Sequence, residues 1–358
     1  MSSPAPVRLA VSIGCPCGIG PEVSLAAAIA LRRSKAGARV LLVGDLGALR
    51  AAARAIDVVP SRVARVETAE EAWTMTSSRV AVLEPVRPLA AADRRPGAPG
   101  RAAGAAQLAW IDAAADIVAR GAADALVTGP VSKDAIARSG ARGSRGFLGH
   151  TEHLAARLGA PEVTMAFHTE RLTTSLVTTH LPLSAVPSAI RPDEVARAAF
   201  WTAWLVARLN PRGKRARVVI AALNPHAGEN GLLGDEERRL IAPGMVLARR
   251  RIEAAKLAVD LEGPVPAESA FRLAASGRYA AVVAMYHDQA TIPMKLLGFG
   301  EAVNVSLGLP IVRTSVDHGT AYDRAGKGTA DPRGMIEAML LAVRLAHGTS
   351  SRRSKAAQ

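Results

Sequence analysis

The sequence predicts an α/β protein with a two-domain, doubly wound sheet. Runs of about four to eight β-branched and aliphatic residues alternate with alanine-rich helical stretches, the pattern of a parallel sheet with crossover helices. Several runs stop abruptly at a polar residue, where the carboxyl ends of parallel strands present ligand-binding groups. The 358 residues exceed one ordinary domain and suit two.

Taken in order, VRLAVSIG is the first strand, GCPCGIG a tight turn, and Pro21-Glu22 the opening of a helix. Proline at the first helical position and an acid in the first turn both favour that start. ARVLLVGD is a second strand ending at Asp45, and the Pro- and Gly-rich stretch 84–104 reads as a loop. A helix over 105–120 feeds the strand ADALVTGP, ending at Lys133, and ARSGARGSRG is a further loop. Thr151 is the expected N-cap of the next helix, with His150 just before it, and helix-start N–H groups form a ready anion site. The domain crossings are expected near Lys133 and Gly300. That gives one domain of 1–132 plus 300–358 carrying both termini, and a central domain of 133–299 with most metal and substrate groups.

Three strands each end in a histidine: RLTTSLVTTH at His180, RARVVIAALNPH at His226 and YAAVVAMYH at His287. Each is followed by turn chemistry, and three imidazoles on one sheet edge suit zinc, cobalt or a related divalent ion with positions left open for substrate. Taken singly, a strand-end histidine is more often structural. Lys295, Asn304 and Arg313 recur at intervals of nine. Arg313 closes the run VNVSLGLPIVR, where a guanidinium fork would bind a carboxylate or phosphate. Surface placement of the lysine and arginine, and a turn for the asparagine, is the alternative. Lys133 and Asp288 are candidates for proton handling by position. GCPCGIGPE lacks the spacing of phosphate-binding and dinucleotide fingerprints.

Composition excludes several classes. Hydrophobic residues make up 49%, charged residues 21% and aromatics 3%, as in a globular protein with an aliphatic core. No apolar run reaches membrane-span length, and the N-terminal residues make a poor signal peptide, so a cytoplasmic protein with no membrane partner is expected. Cys15 and Cys17 are too close to bridge readily and have no further thiolates to join them. A formal charge of +14 raises nucleic-acid binding as a rival. The arginines are scattered and no aromatics interleave them, so a solvated basic surface attractive to anionic metabolites is the preferred reading. SSRRSKAAQ at the C-terminus is expected to be a disordered tail.

GIGPE (18–22), VTGPVSK ending at Lys133, GHTEHLA from Gly149, TTHLPL, NPHAGENG, MYHDQ and VNVSLGLPIVRTSVDHGTA together resemble the 4-hydroxythreonine-4-phosphate dehydrogenases of pyridoxal phosphate biosynthesis. The resemblance spans nearly the whole chain. It implies an isocitrate/isopropylmalate dehydrogenase-like fold with the active site in the interdomain cleft, in a homodimer whose subunits share the site. It implies metal binding by His180, His226 and His287, the last typically from the neighbouring subunit, with zinc, magnesium or cobalt as the ion. Substrate contacts map onto His150, Thr151, Lys295, Asn304 and Arg313. HGTAYDRAGKGTADP resembles the adenosine-binding loop of isopropylmalate dehydrogenases, which puts NAD or NADP at His318, Gly319, Thr320 and Ala321. The implied reaction oxidises a C3 hydroxyl to a 3-keto acid that then decarboxylates.

Three departures stand out. Cys15-Pro16-Cys17 replaces an acid followed by Pro-Ala, Ala290 replaces a glycine after HDQ, and the loop between Lys133 and His150 is longer. IPMKLLGF and NPHAGENGLLG also resemble a sister branch acting on 4-phospho-threonate or 4-phospho-erythronate, in which C2 bears hydroxyl instead of ammonium. A catalytically inactive ligand-binding relative is a further alternative.

Overall fold

The structure is a computed structural model that describes residues 5–34, 36–75, 78–210 and 215–353. The chain folds as two compact units, 1–160 with 309–358, and 161–308. In the first unit lie β1 (Val7–Ser12), α1 (Gly20–Arg33), β2 (Ala38–Val43), α2 (Leu46–Ala55), β3 (Val63–Val66), α3 (Ala69–Thr74), β4 (Val80–Leu83), α4 (Arg101–Ala119), β5 (Ala125–Thr128), α5 (Lys133–Arg138) and α6 (His150–Leu158). The second holds β6 (Thr164–His168), β7 (Thr173–Leu176), α7 (Val186–Ala189), α8 (Pro192–Leu209), β8 (Ala216–Ala221), α9 (Ala242–Ala254), β9 (Val259–Val265), α10 (Ala267–Ala275), β10 (Ala281–Ala284), α11 (His287–Gly298) and β11 (Val303–Leu307). The chain then returns to the first unit for β12 (Arg313–Val316) and α12 (Arg333–Arg353).

The first unit is the parallel sheet that the sequence pattern predicts, in the order β3-β4-β2-β1-β5-β12. Its central strands are buried along nearly their whole length, as apolar β-branched runs require when helices cover a parallel sheet. Helix α12 packs on β1, β5, β12 and α1, and α4 packs on β1, β2 and β5. The helices after Lys133 stay with this unit because α4 holds them. A Cβ at Gly104 of α4 would collide with the Ala135 carbonyl of α5, so the two backbones touch. Further along, α4 binds α6 through His153 with Asp112 at 2.6 Å and Arg157 with Asp116 at 2.7 Å.

The second unit has the order β11-β6-β7-β10-β8-β9, and it is mixed rather than parallel. β6 runs antiparallel to both β7 and β11. Thr169 makes the β6–β7 turn, its Oγ1 accepting the Leu172 N–H at 3.0 Å; such a side-chain-built turn leaves no glycine or proline signal. Two apolar clusters fill this unit, one including α8, α9 and β8 and the other α10, α11 and β10.

Several expected boundaries shift. The run VNVSLGLPIVR is two strands, so Arg313 opens β12 instead of closing a strand, and Asn304 lies within β11 and not in a turn. The break falls at Gly308, which has φ of 94°. β7, β8 and β10 stop at Leu176, Ala221 and Ala284, so all three histidines stand beyond their strands. β5 likewise stops at Thr128, and Lys133 opens α5. Helix α6 begins at His150 with Gly149 as N-cap, which moves Thr151 inside the helix. Helix α4 begins at Arg101, within the expected loop. The C-terminal stretch is helical through Arg353, and 354–358 lie outside the described residues.

Candidate active site

In the first unit the groups converge on the end of β5. Arg313 is buried, and its Nη2 and Nε donate to Thr128 Oγ1 at 2.6 and 3.2 Å. Burial draws its pKa down to about 9, with Glu152 opposing. The partner in this contact is a neutral hydroxyl. His150 is half-buried beside Phe147, ring centroids 6.1 Å apart, and its buried Nε2 has no hydrogen-bond partner among the described residues. Burial first, and then the charges of Arg313, His153 and Lys133, hold its pKa well below the ordinary 6.5. Lys133 Nζ stands 3.6 Å from where a Cβ on Gly149 would be, at the start of α6. The lysine is set in place by Ser132, which caps α5, and by buried Gln107, whose Oε1 accepts the Ser132 N–H at 2.8 Å. A buried guanidinium, an exposed ammonium, an unpartnered imidazole nitrogen and a helix N-terminus are groups that could together bind an anion.

Neutral His150 gives a signed pH dependence. Above pH 6.5 it costs nothing, whereas below 6.5 the unfolded chain takes up a proton that the folded chain refuses, so stability falls with falling pH. In urea unfolding between pH 5 and 7.5, His150→Gln should flatten the acid limb by up to about 1.4 kcal/mol per pH unit. An unchanged slope would place a proton on the folded His150.

The segment after β12 holds the four residues that the sequence offers for a dinucleotide, His318 to Ala321. His318 Nδ1 donates to the Gly319 carbonyl at 3.0 Å, and its buried Nε2 has no partner. A Cβ at Gly319 would meet only open space, and Ala321 holds φ of 42°. The Thr320 carbonyl accepts the Ile19 N–H at 3.0 Å. An unsatisfied ring nitrogen beside open backbone fits a planar, hydrogen-bonding base.

In the second unit the His180 and His287 rings lie side by side, centroids 5.3 Å apart. Asp288 Oδ1 is 2.7 Å from His287 Nδ1, leaving Nε2 as the ring nitrogen available for a metal. Asp288, the carboxylate expected to handle protons, thus meets His287 through one oxygen. His226 is exposed in the turn Pro225–Gly231, where residues 226–230 all have positive φ. Glu237 braces that turn, its Oε1 accepting the N–H groups of Leu223 and Asn224 at 2.9 and 2.8 Å. Among the described residues no three His, Cys, Asp or Glu side chains form a metal-holding group. Within one chain the His287 ring neighbours that of His180, and His226 is not grouped with them among the described residues. Lys295 is exposed in the last turn of α11.

The sequence profile of the pyridoxal phosphate biosynthetic protein PdxA family matches residues 36–342. The chain belongs to this family. It is 42% identical over 344 residues to the 4-hydroxythreonine-4-phosphate dehydrogenase of Geobacter metallireducens, spanning 95% of each. The solved 4-hydroxythreonine-4-phosphate dehydrogenase of Klebsiella pneumoniae is 33% identical with a TM-score of 0.77, over 95% of this chain and 99% of that one. A terephthalate 1,2-cis-dihydrodiol dehydrogenase from Burkholderia xenovorans is 28% identical with a TM-score of 0.65, over 94% and 98%. As a family member the chain is an oxidoreductase with the family's two-unit α/β fold. No helix among the described residues is long and apolar enough to cross a membrane.

Both cysteines are free and buried; Cys15 Sγ lies 3.8 Å from the Tyr322 hydroxyl, and Cys17 Sγ donates to the Asp93 carbonyl at 3.2 Å. Hydrogen bonding with Cys17 draws the Cys15 thiol down and pushes Cys17 up. Sequence reasoning missed Thr128, Gln107, Glu22 and Glu237, which act on groups distant in the chain. Of these only Glu22 left a sign, as the acid of GIGPE.

Proposed function

We propose that this chain is an NAD(P)-dependent, divalent-metal-dependent dehydrogenase of 4-phosphohydroxy-L-threonine. It oxidises the C3 hydroxyl to a 3-keto acid that decarboxylates to 3-amino-2-oxopropyl phosphate, for pyridoxal 5'-phosphate synthesis. The observation that carries the reading is the grouping of buried Arg313, half-buried His150 and exposed Lys133 at the start of α6. Its partnerless His150 Nε2 requires a ligand acceptor or donor to offset its desolvation. Arg313 supplies a two-point contact to the substrate's phosphate or carboxylate, and Thr151 and the α6 N–H groups add to it. Lys295 and Asn304 complete the substrate contacts that family membership suggests, and Lys133 is the group placed to exchange a proton with the substrate.

A bound zinc, magnesium or cobalt ion would acidify the C3 hydroxyl and polarise the resulting ketone, and the nicotinamide would carry the hydride. His180 and His287 would hold the ion, with Asp288 orienting His287, and His226 of a second copy would complete the set. A homodimer with a shared site suits the exposed Ile292, Leu296 and Phe299, which lie on or just beyond the helix that His287 opens. His318 to Ala321 receive the adenine end of the dinucleotide. The enzyme works in the cytoplasm, on a small phosphorylated metabolite rather than on nucleic acid. Many of its arginines are paired with acids, including Arg197 with Glu194, Arg217 with Glu262 and Arg251 with Glu162.

The test is absorbance at 340 nm with 4-phosphohydroxy-L-threonine and 4-phospho-D-erythronate in parallel, each with NAD and NADP, with and without chelator. Chelator-sensitive turnover of the amino substrate is expected. Preference for the hydroxy acid would leave the site chemistry intact and move the enzyme to sugar-acid catabolism, and turnover of neither would sink the reading.

A further inference from the structure

We propose that Glu22 is the positioning residue of the dinucleotide loop, holding residues 320–328 in their binding shape from the first turn of α1. The inference rests on the cofactor assignment above. Glu22 is 3% exposed, and its two oxygens accept two different backbone N–H groups, Gly326 on Oε1 at 2.5 Å and Gly328 on Oε2 at 3.1 Å. Both glycines have positive φ, 78° and 66°, a conformation that turns their N–H groups toward one carboxylate. Gly328 has no alternative, because a Cβ there would collide with the Ala55 carbonyl.

The other end of the loop is tied to the same short motif. Ile19 N–H donates to the Thr320 carbonyl at 3.0 Å, and a Cβ at Gly18 would stand 2.6 Å from that oxygen. Residues 18–22 therefore grip the loop at Thr320 and again at Gly326 and Gly328. His318, with its unpartnered Nε2, and open Gly319 lie just outside the first grip. A buried carboxylate is costly unless hydrogen-bonded, and here both oxygens are spent on a glycine-rich loop. Rigidity of that loop before the ligand arrives is what such a group provides, since it lowers the ordering cost of binding.

Glu22→Gln keeps the volume and replaces one acceptor oxygen with an NH2 group that faces an N–H. One of the two ties is lost. NADH fluorescence titration without metal or hydroxy acid should show Kd raised about tenfold, the effect of one charge-assisted hydrogen bond, with KM for the phosphorylated hydroxy acid within about twofold of the parent. Hydrogen exchange on the unmutated enzyme is the second measurement: the Gly326 and Gly328 amides should be slow without ligand, and NADH should slow 318–328 further. Unchanged NADH affinity in Glu22→Gln despite fast exchange at those amides would overturn the proposal. So would NADH protection that misses 318–328, even if the variant does not fold. If the unmutated enzyme bound no NADH, the cofactor assignment itself would fall, and this proposal with it.

Discussion

His180→Ala and His287→Ala should each lower turnover of the phosphorylated hydroxy acid by at least about 10³-fold, the equivalent of roughly 4 kcal/mol of lost transition-state stabilisation. Calorimetric zinc or cobalt titration should show the same variants losing metal affinity, while their urea midpoints stay near that of the parent. The expectation follows from the adjacent rings at 5.3 Å and from Asp288 holding one of them. His226→Ala should be equally inactive, although His226 is not grouped with the other two. Mixing His226→Ala with His287→Ala chains then separates the possibilities. A site shared between copies regains up to about a quarter of full activity, because half of randomly paired dimers contain one intact site out of two. No recovery after unfolding and co-refolding would confine the site to one chain.

Arg313→Lys should raise KM for the same substrate by about 10–100-fold at pH 7.5, the effect of losing charged hydrogen bonds worth about 1.5–3 kcal/mol. Two losses combine. An ammonium lacks the two-point fork, and the burial that draws Arg313 down to about 9 would draw a lysine, ordinarily near 10.4, lower still. The variant would be partly neutral at working pH. Its KM should therefore improve as pH is lowered toward 6, where the lysine regains its proton, whereas the parent enzyme should show no such recovery. An unchanged KM would remove Arg313 from the anion site.

Much of this was readable in the chain. Parallel strands buried on both faces demand continuous apolar runs, so β1, β2 and β5 announce themselves, and the polar residue after each run marks the functional edge. Strand ends were less readable. Leu309-Pro310-Ile311 carries the apolar character of a strand through a non-strand bridge, which is why Arg313 looks like an end when it is a beginning. The β6–β7 pair was hidden because Thr169 builds its turn from a side chain. The left-handed run from His226 to Asn230 has a single glycine within it and is held by Glu237 from outside, so local propensity gives no hint of it. Thr128 and Gln107 were silent for the same reason: their partners are decided by tertiary packing.

The order of synthesis adds a constraint on the living cell. Because residues 161–308 interrupt the first unit, the ribosome makes β5 and then a whole second unit before it delivers β12 and α12. At about 5–20 residues per second the stretch from the end of β5 to the start of β12 takes roughly 9–37 s. For that interval the edge of β5 that β12 will pair with has no partner, and the faces that α12 will cover on β1 and β5 are open. A nascent chain in this state is a natural client for a holding chaperone, and Arg313 arrives on the strand that closes the open edge of β5.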